Sequence, residues 1–161
     1  MRISYYPGCS LGATASDYSR SIEAVTQLLD VELVEVEDWN CCGASAAHSL
    51  DHELSINLSA RNLNLAEKAG LDVVAPCALF FNRLKTAEKE LLSGCQTEYP
   101  FSGNIQVLDL LEFMAGPQIL GAFEKKVVNP LKGLKAVCYY GCQSNRPPKV
   151  TGQTTFENPM S

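Results

Sequence analysis

An α/β fold, a Rossmann-like parallel sheet with helices on both faces, is predicted from three observations on the sequence. Short β-rich runs alternate with segments whose apolar residues recur at helical spacing. Each run closes on a turn residue such as Gly, Pro or Asn. Five of the seven cysteines fall just beyond the ends of such runs, and carboxyl ends of parallel strands are where open α/β sheets carry ligands.

The elements follow in order. Ile3-Ser4-Tyr5-Tyr6 reads as a strand stopped by Pro7-Gly8. From Ser16, which with Asp17 is a candidate N-cap, Tyr18, Ile22, Val25, Leu28 and Leu29 mark a helix. Leu33 to Val36 is a second strand that runs into Asp38-Trp39-Asn40-Cys41-Cys42-Gly43. A helix over His52 to Lys68 ends at Gly70. Asp72 to Ala75 is a third strand leading straight to Pro76-Cys77, and Leu79 to Leu92 is a helix with Phe80, Leu84, Ala87 and Leu91 on one apolar stripe. Ile105 to Leu108 is a fourth strand, followed by helical stretches to Met114 and from Gln118 to Lys126. Lys135 to Tyr140 is a fifth strand ending at Gly141-Cys142.

A chain of 161 residues is long enough for a real core without disulfides. With 46% hydrophobic and 19% charged residues it is neither a disordered tail nor a coiled coil. The net charge of −5 disfavours a nucleic-acid binder, which needs a clustered basic surface. No apolar run reaches the roughly 18 residues of a membrane span, and Met1 to Cys9 lacks the apolar core of a signal peptide. A cytoplasmic protein is expected.

The odd cysteine count, Cys9, Cys41, Cys42, Cys77, Cys95, Cys138 and Cys142, does not suit a secreted disulfide framework. Right-handed crossovers would bring Cys9, Cys41, Cys42 and Cys77 to one sheet edge, although the groups stand 32 and 35 positions apart. Four soft thiolates suit zinc or an iron–sulfur cluster. Adjacent Cys41 and Cys42 strain a single tetrahedral ion, whereas a cluster offers them different metal atoms. Cys95, at a helix end, and Cys138, inside a strand, read as ordinary buried thiols. Tyr5-Tyr6-Pro7-Gly8-Cys9 is echoed by Tyr139-Tyr140-Gly141-Cys142, with Cys9 and Cys142 separated by 133 positions. Residues 1–134 are therefore expected to form one domain and 135–161 the opening strand and loop of a second, truncated one.

Taken jointly, Tyr5 to Cys9, Asn40-Cys41-Cys42-Gly43, Ala75-Pro76-Cys77, Phe81-Asn82-Arg83-Leu84 and Tyr139 to Cys142 resemble the CCG cysteine-rich domain pattern, in particular that of the catalytic B-type chains of heterodisulfide reductase and their bacterial homologues. The resemblance implies paired domains, each holding a non-cubane [4Fe-4S] cluster through five cysteines. It implies reductive cleavage of a small-molecule disulfide such as coenzyme M–coenzyme B, with flavin and ferredoxin-like partner subunits delivering electrons. On it, Cys9, Cys41, Cys42 and Cys77 are the metal ligands of the first site and Cys142 a cofactor ligand of the second. The sequence departs from the pattern at Phe80, where Cys-x-x-Cys would place the fifth thiol.

Two other readings stay open: a CCG subunit of glycolate or lactate oxidation, and a non-enzymatic interaction module binding zinc or no metal. His48 and His52 have the spacing of a helical metal pair but lack the intervening glutamate of a zincin, and both are expected at the surface. Trp39 reads as core, and Arg146-Pro147-Pro148 as a loop.

Overall fold

The computed structural model describes residues 1–139 and 141–152. Its strands are β1 (Arg2–Tyr5), β2 (Glu32–Glu35), β3 (Val73–Ala75) and β4 (Val107–Asp109). Its helices are α1 (Gly8–Leu11), α2 (Ser16–Leu28), α3 (Ala44–Leu50), α4 (His52–Ala69), α5 (Ala78–Leu92), α6 (Leu110–Met114), α7 (Pro117–Lys126), α8 (Cys142–Asn145) and α9 (Pro148–Thr151). The strands form one sheet in the order β2-β1-β3-β4, and every pairing is parallel. Ser4 is level with Val34 on one side and Val73 on the other, while Val74 is level with Leu108.

Strand alternation divides the core. Ile3, Tyr5 and Val74 pack with Leu11, Ile22, Leu29, Phe113 and Ile119 on one face. Tyr6, Val73 and Ala75 pack with Ile56, Leu63, Phe80, Phe81 and Leu84 on the other. Helices thus cover both faces, as a buried parallel sheet requires. All three residues of β3 are buried, which accounts for its unbroken apolar run.

Local chemistry sets the helix ends. Asp51 caps α4 by accepting from the Leu54 N–H at 3.0 Å, and Gly70 ends that helix at φ +68°. Asp109 and Glu112 form a reciprocal capping box on α6, and Pro117 opens α7. No side chain caps α2: Ser16 is its first helical residue, and Ala15 holds the cap position. On α2, Ile22 and Thr26 are buried, whereas Tyr18 and Leu28 of the expected stripe are exposed.

Four strands form among the described residues, and the expected fifth does not. Residues 135–139 lie outside any strand, with Val137 94% and Tyr139 98% exposed; Tyr140 is outside the described residues. A β-rich sequence becomes a strand only against a partner, and this run has none. Cys138 is consequently exposed rather than buried in a strand, and Cys95 is exposed beyond the end of α5. His48 and His52 belong to different helices, α3 and α4, so they do not form an i,i+4 pair. His52 instead meets Glu90 at 3.1 Å. Among the described residues no helix is long and apolar enough to cross a membrane.

Leu63 has no exposed surface and sits centrally under the sheet. Leu63→Ala is expected to lower stability by about 2–5 kcal/mol. Leu50→Ala, at an 85% exposed position, should stay within about 0.5 kcal/mol of the parent. Urea unfolding followed by circular dichroism measures both.

Candidate metal centre

Parallel pairing places the turns after β1, β2 and β3 at one edge. The turn after β1 carries Cys9 in α1, the loop between β2 and α3 carries Cys41 and Cys42, and Cys77 precedes α5 directly after β3. Cys9 and Cys41 are exposed, Cys77 is half-buried and Cys42 is wholly buried. The pair Cys41-Cys42 therefore has one thiol at the surface and one within the core.

All four thiols lie close enough to Tyr6 for their charges to act on its phenol. This tyrosine, 1% exposed, has its ionisation pushed far up, first by burial and then by the charges of Cys42, Cys41, Cys9 and Cys77. The Tyr6 hydroxyl donates to the Asn40 carbonyl and accepts from Asn62 Nδ2 at 2.9 Å. Asn62 also donates to the Asn40 carbonyl at 2.9 Å and accepts from the Asn40 N–H at 3.0 Å. The Asn40 side chain donates to the Cys41 and Leu58 carbonyls at 2.8 and 3.0 Å, and Arg61 donates to its Oδ1 at 3.0 Å. One buried polar network thus ties β1, α4 and the double-cysteine loop, satisfying groups that would be costly to bury unpaired.

Cys42 follows that network into the core. Burial pushes its thiol up to about 12, against the opposing effects of the Ala44 N–H, 3.4 Å from Sγ, and of the Arg83 charge. Arg83 also donates to the Ala44 carbonyl at 3.2 Å, so α5 grips the start of α3. Gly43 turns the chain at φ +75°, where an added Cβ would lie 2.5 Å from Ala47 Cβ. Desolvation raises Cys9, and so do the charge and hydrogen bond of Cys41.

Aromatic rings close the floor. Phe80 meets Tyr6 edge-on at 4.9 Å and 78°, and Trp39 does so at 5.5 Å and 77°. Trp39 is half-buried rather than core, and its Nε1 donates to Glu35 at 2.8 Å. Cys142 stands apart: α8 is held on α5 by Asn82, whose Nδ2 donates to the Gln143 and Arg146 carbonyls at 3.0 and 2.8 Å. Pro148 opens α9, so the expected Arg146-Pro147-Pro148 loop is short.

Among the described residues, no three His, Cys, Asp or Glu side chains stand in the arrangement of a single-ion site. One zinc ion needs every sulfur about 2.3 Å from a common point. A polynuclear metal–sulfur centre spreads its ligands over several atoms. Four cysteines carried by three neighbouring turns, two exposed and one buried, suit the second kind of group, and Cys9, Cys41, Cys42 and Cys77 are the residues that could hold it. The Asn40–Asn62–Tyr6 network and the small helices α1 and α3 carry no periodic or motif signal, and sequence reasoning missed them.

Residues 3–84 match the cysteine-rich domain family termed CCG. Over 166 residues the chain is 36% identical to the 8-methylmenaquinol:fumarate reductase membrane anchor subunit of Wolinella succinogenes, covering 98% of this chain and 58% of that protein. It is 26% identical to the B-type chain of the ferredoxin/F(420)H(2)-dependent CoB-CoM heterodisulfide reductase of Methanosarcina acetivorans, covering 99% of this chain and 57% of that protein. With the corresponding chain of the ferredoxin:CoB-CoM heterodisulfide reductase of Methanosarcina mazei the identity is 24%, again over 99% of this chain and 57% of the relative. The chain thus spans less than two thirds of the length of the curated relatives it matches.

In metal-free protein, Cys41, Cys95, Cys138 and Cys142 should react rapidly with Ellman's reagent, Cys9 more slowly because its thiolate is disfavoured, and Cys42 only on unfolding. Asn62→Ala should cost about 1–3 kcal/mol through the unpaired groups it leaves and should bring Cys42 into the rapidly reacting set. A raised thiol stabilises the fold fully below its unfolded value, and that stability is lost as pH rises toward the folded value. Metal-free protein should therefore lose stability progressively from about pH 9 toward pH 12. Cys42→Ala should flatten that slope in a pH series of urea titrations.

Proposed function

Because the chain belongs to the CCG cysteine-rich domain family, we propose that it is an iron–sulfur redox subunit, or part of one, working within a multi-subunit electron-transfer complex. The observation that carries this reading is the placement of Cys9, Cys41, Cys42 and Cys77 in the turns after β1, β2 and β3, at one edge of the sheet around buried Tyr6. Those four thiolates are the proposed ligands of a [4Fe-4S] centre. When bound, such a centre supplies one-electron redox chemistry.

The chain's own residues do the rest. Tyr6, Asn40 and Asn62 fix the loop that presents Cys41 outward and Cys42 inward. The Ala44 N–H donates to the Cys42 sulfur, a contact that stabilises thiolate and tunes a bound centre's potential. Phe80 and Trp39 exclude water from the Tyr6 side. Cys9 and Cys41, both exposed, face the direction from which electrons can be exchanged with a partner.

Reduction of a small-molecule disulfide is the proposed activity of the whole protein rather than of this site alone. Two electrons are needed to release two thiolates, and one one-electron centre cannot supply both. Residues 135–161 are proposed as the opening of a second copy with Cys142 as a ligand. The echo of Tyr5–Cys9 in Tyr139–Cys142, the bare Val137 and Tyr139, and the greater length of the relatives support this. The partners proposed are flavin-bearing and ferredoxin-like subunits in the cytoplasm. The fumarate-reductase relative supports a quinol-linked complex as a second setting for the same electron-transfer role.

The test is iron and acid-labile sulfide per chain after strictly anaerobic purification, with zinc measured alongside. About four of each are expected. Cys41→Ser and Cys42→Ser should each lose most of the iron, and unchanged iron content would sink the proposal. Zinc, or no metal, in the parent would instead favour an interaction module that kept the fold without redox chemistry.

A further inference from the structure

We propose that the centre held by Cys9, Cys41, Cys42 and Cys77 is a closed electron relay that binds no substrate sulfur, because the Phe80 ring fills the place from which a further ligand would approach; this rests on the iron–sulfur reading above. Position 80 lies in the first turn of α5, three residues beyond Cys77, which holds the cap position of that helix and packs against the core cluster containing Phe80. Phe80 is 2% exposed, and its ring is wedged between two fixed surfaces. On one side is the Tyr6 ring at 4.9 Å. On the other is Gly8, whose missing Cβ would lie 2.7 Å from the Phe80 ring.

Those two surfaces are parts of the site itself. Gly8 precedes Cys9 at φ +68°, and Tyr6 lies within reach of the charges of all four thiols. The phenyl ring therefore occupies the volume beside Cys9 and Cys77 and offers no lone pair to a metal. It also sets the β1–α1 turn: only a residue without Cβ passes under the ring. Phe80 is a positioning residue that holds Cys9 on the rim and shuts the α5 side of the centre.

Four thiolates could supply one sulfur to each iron of a [4Fe-4S] centre, and Phe80 adds no donor on the α5 side. The redox step then has a simple balance. One electron arrives from a reduced iron–sulfur or flavin partner, and one leaves to a one-electron acceptor. No bond is made or broken, and no proton moves. Both exchanges take place at the exposed Cys9–Cys41 rim, and sulfur chemistry on a substrate takes place at another centre of the complex.

The experiment uses the anaerobically purified chain with its iron and the variants Phe80→Leu, Phe80→Cys and Gly8→Ala. Iron and sulfide are counted, and electron paramagnetic resonance of the reduced form is recorded with and without excess 2-mercaptoethanol and oxidised dithiothreitol. The parent spectrum should not respond to either compound. Phe80→Cys should keep the parent's iron content but change its spectrum, and Phe80→Leu should make the spectrum respond to 2-mercaptoethanol, while the unfolding midpoint of Phe80→Cys drops by roughly 5–15 °C, as expected for a lost core ring. Gly8→Ala should lower the midpoint more in the parent than in a Phe80→Ala background, a coupling that does not depend on metal. A saturable spectral shift of the parent with thiol, or Phe80→Cys and Phe80→Leu spectra identical to the parent's and equally unresponsive, would overturn the relay while leaving the iron–sulfur reading intact. A parent without iron would overturn the iron–sulfur reading and the relay with it. Additive effects of Gly8→Ala and Phe80→Ala would refute the positioning role.

Discussion

The phenol of Tyr6 is the contact on which the cysteine edge depends. Its hydroxyl, carried just past the end of β1, donates to the Asn40 carbonyl and accepts from Asn62 of α4. A hydrogen-bonding group taken out of water must find a partner, and here the partners lie 34 and 56 residues away in sequence. Satisfying one buried hydroxyl thus fixes the central strand, the loop after β2 and the long helix α4 relative to one another. The double cysteine begins one residue after Asn40, so its position follows from that constraint.

The sheet supplies the second condition. β1 lies between β2 and β3, so the turns after these three strands are immediate neighbours, and these turns carry the four cysteines. Short connections after parallel strands leave little freedom there. Gly8 and Gly43 take left-handed conformations where the backbone must turn closely against Phe80 and Ala47. Packing then divides the site into a dry floor of Tyr6, Phe80 and Cys42 and a wet rim of Cys9 and Cys41. Exchange with a partner is governed by what reaches the rim, because Cys42 has no exposed surface.

Much of this was legible in the sequence. The four strands and the helices α2, α4, α5 and α7 announced themselves because apolar periodicity reports directly on which face is buried. The α5 stripe already placed Phe80 in the core, and it is there. What could not be read depends on distant partners. The run Lys135 to Tyr140 has the composition of a strand, but composition does not supply a neighbour to pair with. His48 and His52 have a helical spacing that Asp51 interrupts by ending one helix and capping the next. Tyr18 and Leu28 fit the α2 stripe by spacing, yet Thr26 takes the buried place by returning its hydroxyl to the Ile22 carbonyl at 2.8 Å. Asn62 looks like any polar residue on an amphipathic helix until the fold brings Asn40 and Tyr6 to it.

The split between Cys41 at the surface and Cys42 in the core makes two adjacent, chemically identical residues unequal. Cys42 is held by core packing and by the Ala44 N–H, 3.4 Å from its sulfur, whereas Cys41 lies exposed one residue earlier. Loss of the thiol at 41 removes a group from the surface and leaves the packing as it is. The same loss at 42 also leaves a gap in the core, so the inner cysteine answers to the fold as well as to whatever the edge binds.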